Sequence, residues 1–411
     1  MKEFEVYAGW LTPGEKIGRC IIENVRGTEV IGFSYEREWL RKFPGIFLDP
    51  DLYPIEGMQF PPAPKRCFGF LSDTSPDRWG RKLIDRREAI EASDNNRPRR
   101  KLGESDYILG VHDRGRIGGI RFFDRQEGIF LSDRQTLAAP PMEKLRELEQ
   151  AAAKIDTDSD IRKWIKNLID PGSSLGGARP KANVIDEKGD IWIAKFPSER
   201  DEYDVGAWEM VIHNLSLRCG ISCPEARSMR FSDRGTTFLT KRFDRIGKKR
   251  IHYASAMTMS GHTDMEPAGY FDIISVIENI CVSPGNALKE LWKRMIFGIC
   301  VSNTDNHLRN HGFLLKEDGW ELSPCFDVNP NPDNDILALA IGDSPEKSLR
   351  NAMEIADFFR ITSSEVKESI HFIQNVVRDH WEAEADRLGL SRREKENMRP
   401  AFDACGQDIG T

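Results

Sequence analysis

Residues Asn303 to Asn310 read Asn-Thr-Asp-Asn-His-Leu-Arg-Asn. This polar run is wedged between two apolar stretches. Before it, Leu288, Leu291, Trp292, Met295, Ile296 and Ile299 recur at helical spacing; after it comes Gly312-Phe-Leu-Leu315. Both flanks demand burial, one as a helix stripe and one as a strand. They draw the run between them toward the core. Polar side chains placed there are costly unless they have partners or a task.

Asp305 and Asn310 are five residues apart. Protein kinases use that offset: the Asp takes the proton of the attacking hydroxyl, and the Asn holds a metal ion. Alone, the pair reads more readily as a capped loop with internal hydrogen bonds. Seventeen residues after Asn310, Ser323-Pro-Cys-Phe-Asp327-Val follows a short strand-like Trp320-Glu-Leu. An Asp there is where kinases keep a second metal ligand. Asp305, Asn310 and Asp327 are all oxygen donors, as a hard Mg²⁺ ion requires. The sequence has Asp-Val-Asn where ordinary eukaryotic-type kinases have Asp-Phe-Gly.

Two further pieces lie upstream. Gly172-Ser-Ser-Leu-Gly-Gly-Ala-Arg-Pro-Lys181 is glycine-rich, and glycines let backbone amides approach phosphate oxygens. It is not a Walker A loop. Lys195 ends the apolar strand Ile191-Trp-Ile-Ala-Lys-Phe, where an ammonium needs an anionic partner. Glu209, on the next helix, is the kinase-like candidate, with a solvent-facing glutamate as the alternative. Glycine loop, strand lysine, helix glutamate, Asp with Asn, and a final Asp stand in kinase order.

The rest of the chain supplies context. The 411 residues are 39% hydrophobic and 30% charged, as in a globular protein, with a net charge of −7. That charge argues against nucleic-acid or membrane binding by the chain alone. One basic loop, Asn95 to Leu102, is the exception; it could meet phosphates or simply be solvated. The opening Met-Lys-Glu-Phe-Glu-Val-Tyr alternates like a strand and lacks a signal-peptide core, and no apolar run reaches membrane-spanning length. A cytoplasmic protein is expected. The eight cysteines form no Cys-x-x-Cys pair, so free thiols are expected.

Strands are expected at Glu3 to Trp10, Cys20 to Asn24 and Thr28 to Tyr35. A helix is expected to start at Ser75-Pro76-Asp77, with Ser75 as N-cap, and to run through Trp79, Leu83 and Ile84. A short amphipathic helix on Ile161, Trp164, Ile165 and Leu168 is expected before Pro171. A helix on Trp208, Val211, Ile212 and Leu215 should end near Gly220, and Thr236 to Phe243 should form a strand.

Ser174-Leu-Gly-Gly-Ala-Arg-Pro-Lys181, Trp192-Ile-Ala-Lys-Phe-Pro197, Leu239-Thr-Lys-Arg-Phe-Asp-Arg245, the Asn303–Asn310 run and Phe326-Asp-Val328 together resemble the HipA family. These are serine/threonine kinase toxins of bacterial toxin–antitoxin systems, and the resemblance spans nearly the whole chain. It implies an α+β, two-lobed, protein-kinase-like fold with an N-terminal α+β subdomain and a mostly helical C-terminal lobe. The parts would be residues 1–135 for the N-terminal subdomain, 136–250 for the ATP-binding region, and 251–411 for the catalytic lobe. It implies ATP and Mg²⁺, and a HipB-like antitoxin as partner with DNA reached only through it.

The resemblance also implies roles. Asp305 would be the catalytic base, and Asn310 and Asp327 the metal ligands. Gly176, Gly177, Ala178, Arg179 and Lys181 would form the phosphate loop, with Lys195 on the phosphates. Lys241, Arg242 and Phe243 would form the hinge, contacting adenine through backbone. His307, Asn310 and Asp327 would also line the nucleotide. Ser174, or Ser173 beside it, would be autophosphorylated, and a phosphoserine there would eject the loop. The loop departs from better-known members, which have Ala-Gly-Ala-Gln and an acidic residue; Lys241 stands where a glutamate is common. Two alternatives remain: a kinase-fold co-repressor working with an antitoxin on operator DNA, and a small-molecule phosphotransferase.

Overall fold

The structure is a computed structural model that describes residues 2–131, 139–155, 177–264 and 266–407. The expected helix on Ile161 to Leu168 lies outside the described residues. The chain divides into two compact units. One is Met1–Lys195 with Arg242–Thr263; the other is Phe196–Lys241 with Asp264–Thr411.

The first unit begins with strands β1 (Lys2–Ala8), β2 (Glu15–Val25) and β3 (Thr28–Tyr35). With β4 (Ile120–Asp124) and β5 (Ile129–Phe130) they form an antiparallel sheet of order β3-β2-β1-β4-β5. Period-two alternation puts Phe4, Val6 and Ala8 on the buried face. Val6 stands opposite Phe122, and Phe4 meets Phe122 edge-on at 5.2 Å. The expected strand at Cys20 is part of the longer β2.

The helix expected at Ser75 spans Arg78–Asp94, and its N-cap is Asp77, whose Oδ1 accepts from Gly80 N at 2.8 Å. Ser75 is not the cap, because the helix starts two residues later than expected, at Arg78. Its hydroxyl donates to Glu104 and accepts from Arg81 instead. Trp79, Leu83 and Ile84 are buried as expected. The basic loop is partly neutralised from within: Arg97 grips the Glu88 carboxylate at 2.5 and 3.0 Å, and Arg100 N donates to it at 2.8 Å.

Strands β6 (Lys181–Ile185) and β7 (Ile191–Lys195) form a tight antiparallel hairpin. Asp186 organises its turn by accepting from the amides of Lys188 and Asp190 and from Trp192 Nε1. Every residue of β7 is buried.

The second unit carries the hairpin of β8 (Ala226–Ser232) and β9 (Gly235–Lys241), and it is otherwise mostly helical. Its first helix, Val205–Arg218, is capped by Asp204, which also binds Thr236 through N and Oγ1. Gly206 lies against Thr236; a Cβ there would sit 1.9 Å from the Thr236 carbonyl oxygen, so only glycine fits. The helix ends at Cys219, followed by Gly220 at φ +69°. Trp208, Trp381 and Phe402 form an aromatic core, with the last two stacked at 4.6 Å. Helix Pro284–Cys300 buries Leu288, Leu291, Trp292, Met295, Ile296 and Ile299, as its periodicity requires. Among the described residues, no helix is long and apolar enough to cross a membrane.

Candidate active site

The second unit holds the Asn303–Asn310 run immediately after helix Pro284–Cys300. Ser302, in the left-handed region at φ +51°, turns the chain. Its buried hydroxyl donates to Ala401 O and accepts from Lys347 Nζ, each at 2.7 Å. The loop therefore leaves the helix in a fixed direction. Asp305 is exposed, whereas Asn303, Thr304, Asn306 and Asn310 are buried.

The buried members are held by specific bonds. Asn306 Nδ2 donates to Tyr270 OH at 2.9 Å, and its Oδ1 lies 3.0 Å from His311 Nε2. Burial drives the His311 pKa down to about 3, so this imidazole is neutral. Asn310 Nδ2 donates to the Asp305 carbonyl at 3.0 Å. Among the described residues, buried Asn310 Oδ1 accepts no hydrogen bond, and buried His307 Nδ1 and Asn329 Oδ1 likewise have no partner.

Asp327 stands at φ +58° and is half-buried. The segment after it is stitched to the Asp305 loop. Asn329 N donates to Asn303 Oδ1 (3.3 Å), Asn331 N to Ser302 O (3.0 Å), Asn331 Nδ2 to Thr304 Oγ1 (2.9 Å) and Ala338 N to Thr304 O (2.9 Å). These bonds fix the two acidic segments relative to each other. Asn303, Thr304 and Asn331 thus have positioning roles that the sequence reading did not assign.

Mg²⁺ is tested by the donor set. Asn310 Oδ1 is an unsatisfied oxygen in a loop that also presents carboxylate oxygens, which suits a hard cation. Among the described residues, no group of three or more His, Cys, Asp or Glu could hold a metal. Asn310 and Asp327 are the residues that would hold a bound ion, with ligand oxygens completing its shell.

The first unit holds the other candidates. Gly176, Ser173 and Ser174 lie outside the described residues. Gly177 and Ala178 are exposed and Arg179 is half-buried. Lys181 is buried, and its Nζ pairs with Asp77 Oδ2 at 2.7 Å and donates to Gly177 O at 3.0 Å. Lys181 thus acts as a strut that ties the end of the glycine segment to the cap of helix Arg78–Asp94. Nothing in the spacing of Asp77 and Lys181 announces that pair. Lys195 is buried opposite Lys181 in the hairpin register. In the second unit Glu209 is 4% exposed, which removes the solvent-facing alternative.

The hinge candidates are anchored through main chain and side chain. Lys241 N donates to Glu225 O and Arg242 N to Ile191 O. The Arg242 guanidinium is buried, bound to Asp244 and to the carbonyls of Gly115 and Arg116. Arg245 and Gly118 N complete the shell of Asp244. Burial pushes the Asp244 pKa up, but Arg242 and Arg245 outweigh it and hold the carboxyl well below the usual range. Phe243 packs against Tyr253 with ring centroids 6.1 Å apart.

The model of the HipA-like C-terminal domain matches residues 173–399, more than half of the chain. This chain belongs to the HipA-like family. Among solved structures, HipA in the complex titled "Shewanella oneidensis MR-1 Toxin Antitoxin System HipA, HipB and its operator DNA complex" aligns over 98% of this chain and 96% of its own, with a TM-score of 0.69 at 16% identity. The overall fold is thus HipA-like across nearly the full length. The Helicobacter pylori proinflammatory kinase CtkA aligns over 51% of this chain and 94% of its own, with a TM-score of 0.34 at 13% identity. No curated protein matches the sequence.

Proposed function

We propose that this HipA-like protein is an ATP- and Mg²⁺-dependent serine/threonine protein kinase, the toxin of a toxin–antitoxin pair. The observation that carries the reading is the Asp305–Asn310 loop. It offers an exposed aspartate whose main-chain carbonyl is held by Asn310, and an Asn310 amide oxygen that is buried without a partner among the described residues. Asp305 accepts the proton of the attacking hydroxyl as that oxygen bonds to the γ-phosphorus and ADP leaves. Asn310 and Asp327 hold Mg²⁺, which when bound neutralises charge on the phosphates. Lys195, on β7 of the first unit, is the phosphate-contacting lysine in this reading. Gly176, Gly177, Ala178 and Arg179 shape the loop over them, with Lys181 bracing its end. Catalysis is then mainly positioning and charge stabilisation.

Ser174, with Ser173 as the neighbour to distinguish, is the self-modification site in this reading. The partner is a HipB-like antitoxin, as in the Shewanella complex. DNA is reached through that partner, since the net charge is −7 and Arg97 is already paired with Glu88. The test is incubation of purified protein with Mg²⁺ and γ-labelled ATP. Label on protein, absent from Asp305→Asn, supports the kinase. Label on small molecules alone points to the small-molecule phosphotransferase, and no turnover with antitoxin-dependent operator binding points to the co-repressor.

A further inference from the structure

Asn183 lies in the middle of β6 and is 2% exposed. Neither its Nδ2 nor its Oδ1 has a hydrogen-bond partner among the described residues. A carboxamide sealed from water with both atoms unpaired is a standing penalty, and sequences shed such groups unless something else pairs with them. The side chain offers two donors and an acceptor to whatever that is.

The hairpin register says what lies beside it. Lys181 stands opposite Lys195, and Asn183 opposite Ile193. Alternation along each strand places Lys181, Asn183, Ile193 and Lys195 on one face. Lys181 Nζ donates to Gly177 O, so the end of the glycine segment is tied to that same face. In the nucleotide-binding reading above, a nucleotide with its phosphates at Gly177–Lys181 and Lys195 would extend along the strands toward the Asn183–Ile193 pair. One residue pair on the same face is about 7 Å along the strand. That is the step from the phosphates to the sugar and base. Ile193 supplies an apolar surface there, and Asn183 supplies the polar contact.

We propose that Asn183 hydrogen-bonds the nucleoside of the bound nucleotide and so discriminates among nucleotides. The inference rests on the nucleotide-binding reading above and adds a residue to it. The shared chemistry is a donor–acceptor edge, which both a purine and a ribose present.

The experiment measures binding of Mg²⁺-ATP, 7-deaza-ATP, 2′-deoxy-ATP, 3′-deoxy-ATP and inorganic tripolyphosphate to the full-length wild type and to Asn183→Leu. Thermal unfolding is recorded alongside. Leucine is close in volume and removes the unpaired amide, so the variant should unfold no earlier than wild type. ATP affinity should fall about ten- to hundredfold, the worth of one or two such hydrogen bonds, while tripolyphosphate binding stays within about twofold. The analogue that already binds wild type weakly, and binds the variant equally, identifies the contacted group as base or ribose. Unchanged ATP affinity in the variant overturns the inference, and so does equal weakening of ATP and tripolyphosphate. Wild type that binds no nucleotide overturns the underlying reading as well, and is recognised without the variant. A second variant, Asn183→Ser, keeps a polar group and guards against a packing defect. It should retain part of the affinity that leucine loses, and equal loss in both variants counts against the inference.

Discussion

Asn310 donates its Nδ2 to the Asp305 carbonyl at 3.0 Å and leaves its Oδ1 buried and unengaged. One half of the amide braces the loop, and the other half is the oxygen proposed to hold the metal. The two halves can be separated. Asn310→Asp keeps an oxygen donor but loses the brace; Asn310→Ala loses both. Phosphotransfer should fall about a hundredfold or more in Asn310→Ala, with a higher Mg²⁺ requirement. Asn310→Asp should recover part of the Mg²⁺ dependence. Initial rates across a Mg²⁺ titration check this, and an unaltered Mg²⁺ profile in Asn310→Ala removes Asn310 from the metal site.

Asp305 itself is exposed, and the group that Asn310 holds is its main-chain carbonyl. Asp305→Asn therefore leaves the brace intact. Stability should stay within about 0.5 kcal/mol of wild type, while the transfer rate drops about 10²- to 10⁴-fold. Urea unfolding paired with single-turnover kinetics tests both halves. A variant that loses activity and stability together would make Asp305 a structural residue.

The Asp77–Lys181 pair joins residues 104 positions apart, with side chains 10% and 3% exposed. Asp77 Oδ1 also caps helix Arg78–Asp94. Asp77→Ala strands a buried ammonium and uncaps the helix, and should cost about 3 kcal/mol or more. Asp77→Asn keeps the cap acceptor and loses the charge, so it should cost less. Removing both partners in Asp77→Asn with Lys181→Met should restore part of the loss. Denaturant midpoints of wild type, Asp77→Asn, Lys181→Met and the double variant form a double-mutant cycle, and an additive result would rule out the coupling.

What was legible in the sequence follows from how local each signal is. The apolar periodicity of Leu288 to Ile299 and the polar run behind it dictate a helix followed by a turn, and both are present. The strand at Thr28 to Tyr35 and the helix end at Gly220 are equally local. Ser75 and Asp77 are both good cap residues two positions apart, and the helix takes Asp77, which accepts from Gly80 N. The basic loop looked available because its neutralising residue, Glu88, sits on a preceding helix. The ion pair of Lys181 with Asp77 was equally invisible, because Asp77 is far off in sequence. The Asn303, Thr304 and Asn331 bonds that join the two acidic segments were invisible, since an asparagine in a polar loop looks the same whether or not it is bonded. Asn183 is the converse case, a polar residue whose strand position gave no sign of burial.

Acid sensitivity should come from histidine before it comes from carboxylates. His252 is 1% exposed and stacked on Trp10 at 4.5 Å. Burial pushes its pKa down to about 3, against an ordinary value near 6.5. The unfolded chain therefore binds a proton between those values that the folded chain refuses. Stability from this residue is fully present above about pH 6.5 and is lost progressively as pH falls toward 3. His311, pushed down to about 3 in the second unit, behaves alike. Asp244 has the depressed carboxylate pattern, so its contribution is lost only below its ordinary range near 4. Between pH 7 and pH 5, each histidine should remove about 2 kcal/mol. His252→Phe keeps a ring against Trp10 and carries no proton, so it should lose about 2 kcal/mol less than wild type over that interval. Urea unfolding at the two pH values measures the difference, and a variant that loses as much as wild type would show that His252 titrates normally in the folded protein.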